Sequence, residues 1–280
     1  MRRLLATAAI LAMTAASAPA MADHHGEMAM GGMHASHHAL RSVLASDARG
    51  EDGARDAYRH PFETLDFFGV EPGMTVVDYM PAGGWYTRIL VPYLGAEGRY
   101  IGLMPDPAAA DASGFADYFG ALPGRFAEAY PGWSLTGAPI EGYASQDVPE
   151  AMAGTVDRVL IFREMHNLLR SGTMYNELTR IRSMLKDDGR LGIVQHRAKA
   201  DAPADYTLGT KGYLRQDDVI ALVEAHGFEL VGMSEINANP ADPANWEDGV
   251  WTLPPGNRGD NAEAAAVGES DRMTLLFAKR

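Results

Sequence analysis

Residues 74–87 read Met74-Thr75-Val76-Val77-Asp78-Tyr79-Met80-Pro81-Ala82-Gly83-Gly84-Trp85-Tyr86-Thr87. The apolar, β-branched run Met74 to Tyr79 predicts a short buried strand. Pro81-Ala82-Gly83-Gly84 predicts a turn, and a helix follows from about Trp85 to Leu94. The same alternation continues outward. Further strands are expected at Arg99 to Met104, Trp133 to Ile140, Thr155 to Phe162, Arg190 to His196, Glu229 to Ile236 and Met273 to Ala278. Helical segments are expected within residues 40–70, restarting at Pro61, and within 105–132. Two more are expected from Thr173 to Leu185, closed by Lys186-Asp187-Asp188-Gly189, and from Gln216 to His226 before Gly227. Strands separated by helices predict an α/β, doubly wound, mainly parallel sheet with helices on both faces. Ligands of such sheets bind outside the carboxyl ends of the strands. The windows to question are therefore 78–84, 105–107, 141–147, 163–167 and 196–199.

Three stretches carry a resemblance. They are Tyr58-Arg59-His60-Pro61, the turn and helix PAGGWYTRILVPYL from Pro81, and Phe162-Arg163-Glu164-Met165-His166-Asn167. The strand, Asp78 and the glycine turn resemble motif I of class I S-adenosylmethionine-dependent methyltransferases. Together the three stretches look like a group of exported bacterial predicted methyltransferases, over about residues 45–280. The resemblance implies a seven-strand methyltransferase-like Rossmann fold with the last strand antiparallel. It implies S-adenosylmethionine as cofactor and a small-molecule substrate. Asp78, Ala82, Gly83 and Gly84 then form the cofactor turn, whose three usual glycine positions hold Met80, Ala82 and Gly84. Asp106 stands for the ribose acid, against a plain turn residue. Glu141 or Asp147 would meet the adenine, although Asp147 equally suits a helix cap. Arg163, His166 and Asn167 occupy the exit of the fourth strand and His196 that of the fifth. Asn167 is grouped with the cofactor residues and Arg163, His166 and His196 with the catalytic ones. A neutral His can act as a base near pH 7. Trp85 and Tyr86 suit packing better than ligand contact.

Composition bounds the alternatives. The chain has 280 residues, 24 Lys+Arg against 37 Asp+Glu, a net charge of -13, and no Cys. Thiol catalysis, Cys-ligated zinc, iron–sulfur clusters and disulfides are excluded. The acidic balance argues against nucleic acid as a partner, and no local basic run is visible. Residues 1–22 read as an export signal. Arg2 and Arg3 precede the apolar stretch Leu4 to Ala16, and Ala20-Met21-Ala22 offers a cleavage site. The expected compartment is the periplasm, with no stable membrane insertion after cleavage.

Residues 23–39 hold five of the nine histidines, with His24, His25, Met28, Met30, Met33, His34, His37 and His38 as candidate ligands for copper or nickel. This segment is expected to be disordered and residues 40–280 to form the domain. Two functions remain open. One is a methyltransferase acting on a small molecule. The other is a non-catalytic periplasmic ligand- or metal-binding protein on a degenerate methyltransferase fold. Metal-assisted chemistry through His60, His166 and His196 lacks the spacing of a metal motif. The Pro- and Asn-rich segment 237–262, with Trp246 and Trp251, reads as a long loop that either covers the site or anchors itself to the core. The sequence names neither the substrate nor the oligomeric state.

Overall fold

The computed structural model describes residues 24–111 and 113–280. The export signal expected at residues 1–22 lies outside the described residues. The chain divides into two compact units, Met1–Ala35 and Ser36–Arg280. Within the second unit, seven strands form one sheet: β1 (Thr75–Tyr79), β2 (Arg99–Met104), β3 (Ile140–Ala144), β4 (Val156–Phe162), β5 (Leu185–His196), β6 (Phe228–Ser234) and β7 (Arg272–Lys279). Their spatial order is β3-β2-β1-β4-β5-β7-β6. The first five pair in parallel, and β7 runs antiparallel to both its neighbours, β5 and β6. This is the expected doubly wound sheet with an antiparallel last strand.

Strand alternation sends successive side chains to opposite faces. Val77, Tyr79, Ile101, Leu103, Val159 and Ile161 enter one core with Phe119, Leu178, Ile181 and Val219. Val76, Tyr100, Leu160 and Phe162 enter the other with Leu65, Phe68, Ile89 and Leu90. The two cores make a helix–sheet–helix sandwich. A third, smaller core of Ala198, Tyr213, Ala244, Trp246, Val250, Leu253 and Ala264 lies beneath the late loop.

Two expectations are corrected. The third strand does not start at Trp133, which lies in a 3-10 turn (Tyr130–Trp133); the paired stretch is Ile140–Ala144, in register with Tyr100 to Met104. The segment 23–39 is not without structure, since a helix runs His24–Leu44. Its residues from Ser36 onward belong to the domain, because they have partners there. Ser36 Oγ lies 2.9 Å from Tyr93 Oη, His37 Nε2 lies 2.6 Å from Asp66 Oδ1, and Leu40 is buried in the second core. Among the described residues no helix is long and apolar enough to cross a membrane.

Candidate active site

The carboxyl ends of β1 and β4 are neighbours in the sheet, and each ends in a strained turn. Asp78 is 2% exposed and accepts a hydrogen bond from Tyr100 Oη at 2.9 Å, which itself lies 2.8 Å from Thr87 Oγ1. Burial pushes the Asp78 carboxyl up to about 7, against the opposing pull of the Tyr100 bond. The backbone then turns through left-handed values at Met80 (φ 54°), Ala82 (φ 49°) and Gly84 (φ 76°). These are the three positions where the motif usually has glycine. The glycine-type path is thus kept with two side chains on it, each at a cost of about 1–2 kcal/mol. Gly84 is required for another reason: a Cβ there would come within 2.4 Å of the Trp133 ring. Behind the turn, Tyr86 stacks on Phe162 at 3.5 Å and Trp85 Nε1 donates to Asp52 O, so both are packing residues as expected.

Above the turn lies a cavity of about 250 Å³, walled by Met80, Pro81, Ala82, Met104, Phe126 and Glu164, with Tyr118 and Arg125 among its polar groups. A second cavity, of about 330 Å³, holds Arg163, His166, His196, Trp251 and Ser270, and it too is lined by Tyr118 and Glu164. The two cavities therefore share a wall. Burial pushes the Glu164 carboxyl up to about 7, although Asn167 Nδ2 donates to it at 2.7 Å and Arg163 favours its charge. A carboxyl raised in this way exchanges its proton much closer to neutral pH than an ordinary one, which suits proton transfer.

Arg163 is itself left-handed (φ 66°), its N–H held by Val194 O at 2.6 Å. Its guanidinium lines the second cavity and makes no hydrogen bond or ion pair among the described residues. His166 and His196 are 5% and 8% exposed, with ring centroids 5.9 Å apart. Burial lowers His166 to about 4 and holds His196 well below the usual imidazole range. Both are neutral at pH 7. His196 Nδ1 lies 2.6 Å from Ser270 Oγ, while His166 Nδ1 has no partner among the described residues.

The late loop uses its two tryptophans differently. Trp246 is an anchor: its Nε1 donates to Asp242 Oδ1 at 3.0 Å. Asp242, fully buried, also accepts from Tyr213 Oη and from the N–H groups of Ala244 and Asp271. Trp251 meets His166 edge-to-face at 5.9 Å and walls the second cavity with Val250, Leu253 and Pro254.

The other sequence candidates are placed as follows. Asp106 caps its own turn through Ala108 N–H at 2.8 Å and lines a separate polar cavity with Ser145 and Tyr175. Asp147 is exposed and, among the described residues, accepts only from Gln146. Glu141 is paired with Arg99 and Tyr143. None of these three reaches the first cavity, where Met104 stands at the β2 exit. Asn167 lines the second cavity, not the first, and acts on Glu164. Gly83 has open space around its Cα, and its carbonyl accepts from Arg88.

Of the tail candidates, His37 is engaged by Asp66 and packs on Phe62. Among the described residues no group of three or more His, Asp or Glu stands close enough to hold a metal ion. Glu164 is not among the candidates the sequence offers, although it sits inside the 163–167 window after the fourth strand. Tyr118 and Ser270 gave no signal at all, since each reaches the site from an element remote in sequence.

The solved structures similar to this chain include a SAM-dependent methyltransferase from Aquifex aeolicus. It has a TM-score of 0.51 and 14% identity, and the match covers 86% of this chain and 97% of that one. The chain has a class I methyltransferase fold. A geranyl diphosphate methyltransferase in complex with SAM is also similar, with a TM-score of 0.48, 13% identity and coverage of 86% and 95%. So is the Burkholderia thailandensis 1,6-didemethyltoxoflavin-N1-methyltransferase, with a TM-score of 0.46, 14% identity and coverage of 94% and 93%. No family model matches the sequence, and no curated protein matches it.

Proposed function

We propose that the protein is an S-adenosylmethionine-dependent methyltransferase acting on a small molecule, with the donor over the β1 turn and the acceptor in the His166–His196 cavity. The observation that carries this reading is the shared wall: Tyr118 and Glu164 line both cavities. A two-substrate transfer needs two adjoining chambers with a proton acceptor between them.

The residues around the first cavity suit the donor. A sulfonium and an ammonium are cationic, and two carboxyl groups, Asp78 and Glu164, stand at that end of the sheet. The walls offer thioether and aromatic surface in Met80, Met104 and Phe126. The cavity keeps about 250 Å³ with the Ala82 side chain in place. Tyr118 and Arg125 are the polar groups on that wall available to ribose hydroxyls, in place of the usual acid. When bound, the cofactor supplies an electrophilic methyl group.

The chain's own residues do the rest. Glu164 accepts the proton released by an acceptor O–H or N–H, at a carboxyl oxygen that Asn167 leaves free. His166 and His196, both uncharged, hydrogen-bond the acceptor and orient it. Trp251 closes the chamber against water.

Calorimetric titration of the purified protein with S-adenosylmethionine and S-adenosylhomocysteine tests this. Saturable binding in the micromolar range, weakened by Asp78→Ala, is expected. A folded protein that binds neither ligand at millimolar concentration overturns it. With an acceptor in hand, Glu164→Gln lowers turnover by about a hundredfold or more if Glu164 is the base. We extend the proposal, from residues 1–22 alone, to export: N-terminal sequencing of the protein from its producing cell is expected to start at Asp23.

A further inference from the structure

The chain is strongly acidic, with a net charge of -13, yet its second cavity is backed by arginines. Arg55, Arg59 and Arg272 all pair with one carboxylate, Glu269, at 2.6, 3.2 and 3.1 Å. Arg59 and Arg272 are each 2% exposed. Arg272 spends its other donors on the carbonyls of Ser270 and Tyr58. Both terminal nitrogens of Arg59 are buried without a hydrogen-bond partner among the described residues, its guanidinium lying 4.6 Å over the Trp85 ring. Arg163, which lines the cavity, has no partner among the described residues.

Three guanidinium groups thus share the Glu269 carboxylate, and the fourth, Arg163, has no carboxylate of its own among the described residues. Glu164 and Asp78 face Arg163 as well, but burial holds both near 7, so at neutral pH they carry only part of a charge. The neighbouring imidazoles are neutral, and Arg163, Arg272 and Arg59 all help keep His196 so. Buried charge is costly unless it is paired. Arg163 is the one arginine that opens onto the chamber, whose lining also includes Glu164, Glu269, His166 and His196, with Trp251, Val250, Leu253 and Pro254 as its apolar wall. Among the described residues neither carboxylate forms an ion pair with Arg163, and Glu269 is already engaged by three other arginines.

We infer that this chamber takes a small molecule with an apolar or aromatic body and an oxyanion, carboxylate or phosphate, which pairs with Arg163 in front of Arg59 and Arg272. The inference deepens the methyl-transfer reading by naming the class of acceptor, and only its wording as "acceptor" rests on that reading. Arg163 is then a substrate-positioning residue, which explains its left-handed backbone: the strained turn aims a guanidinium into the cavity.

The test uses the intact protein without cofactor. Benzoate, phenyl phosphate and uncharged benzamide are titrated separately by calorimetry and by tryptophan emission. At least one anion is expected to bind tenfold or more tighter than benzamide, and the better of the two identifies carboxylate or phosphate as the recognised group. Arg163→Gln is expected to abolish the preference. Equal binding of all three, no binding of either anion at millimolar concentration, or an unchanged preference in Arg163→Gln overturns the inference. The comparison of charged with uncharged ligand on the wild-type protein stands even if the variant fails to fold. Anion binding without S-adenosylhomocysteine binding would remove methyl transfer and leave the anion chamber. S-adenosylhomocysteine binding without anion preference would do the reverse.

Discussion

Ala82 holds a backbone conformation that costs an L-residue about 1–2 kcal/mol. Its methyl group lines the first cavity, so the cost and the shape of the site come from the same atom. Ala82→Gly is expected to leave thermal stability unchanged or raised and to enlarge the chamber, read as a melting temperature no lower than that of the wild type and a changed affinity for S-adenosylhomocysteine. Gly84→Ala should do the opposite. Its Cβ would enter the Trp133 ring at 2.4 Å, and the displaced ring is expected to cost about 1–3 kcal/mol in a denaturant melt. At this scale the sequence was readable in part. Asp78, the Gly-rich turn and the exit of the fourth strand announced themselves by their position after apolar runs. That Met80 and Ala82 would follow the path of glycines was not legible, because nothing local favours it. It is imposed by Met80 being buried in the core, 8% exposed, and by Met80 N–H bonding Leu103 O.

Strands and helices whose cores are continuous were found close to where their patterns put them. β3 was not, because its burial is only partial and Trp133 imitates a strand start. The late loop was legible as a loop but not as a structure. Its organiser is Asp242, one carboxylate accepting from Ala244 and Trp246 in the same loop and from Tyr213 and Asp271, both remote in sequence. Asp242→Ala strands four donors, all in buried positions, and is expected to cost at least about 3 kcal/mol. It should also open the segment 237–262 to limited proteolysis at rates well above wild type. Protection equal to wild type would mean that the loop is held instead by its apolar contacts. Since Trp251 rides on the same loop, the variant is expected to weaken ligand binding in the second cavity while leaving the first untouched.

Across the whole molecule, charge is distributed in a way that composition hides. Arg55, Arg59, Arg163 and Arg272 are dispersed in the sequence, and no window of it reads as basic. The sheet order, which sets β4 beside β5 and β5 beside β7, brings the exit of β4 near Arg272, while Arg55 and Arg59 come from the helical segment before β1 and join through Glu269. The buried carboxyls give this charge pattern a pH signature. Asp78, Glu164 and Glu177 are each raised by burial to about 7. Each therefore holds in the folded state a proton that the unfolded chain releases in the ordinary carboxylate range. Their contribution to stability is full below that range and is lost as pH rises through 7. His166 and His196 act with the opposite sign, but only below about 6.5, where the unfolded imidazoles become charged. The melting temperature is accordingly expected to fall between pH 6.5 and 8. In Glu164→Gln that fall should be shallower. An unchanged slope would show that Glu164 does not titrate there.

The place of β7 has a consequence for how the chain is made. It follows the other six strands in the chain, yet it lies between β5 and β6 and, among the described residues, is the only strand paired with β6. Until it emerges, β5 presents an open edge and β6 has nowhere to dock, so the nascent chain cannot complete its sheet early. Arg272, which joins Glu269 behind the second cavity, arrives on that same strand. Closing the sheet and assembling the arginine cluster are thus one late event in synthesis, and a ribosome stalled before residue 272 would display neither.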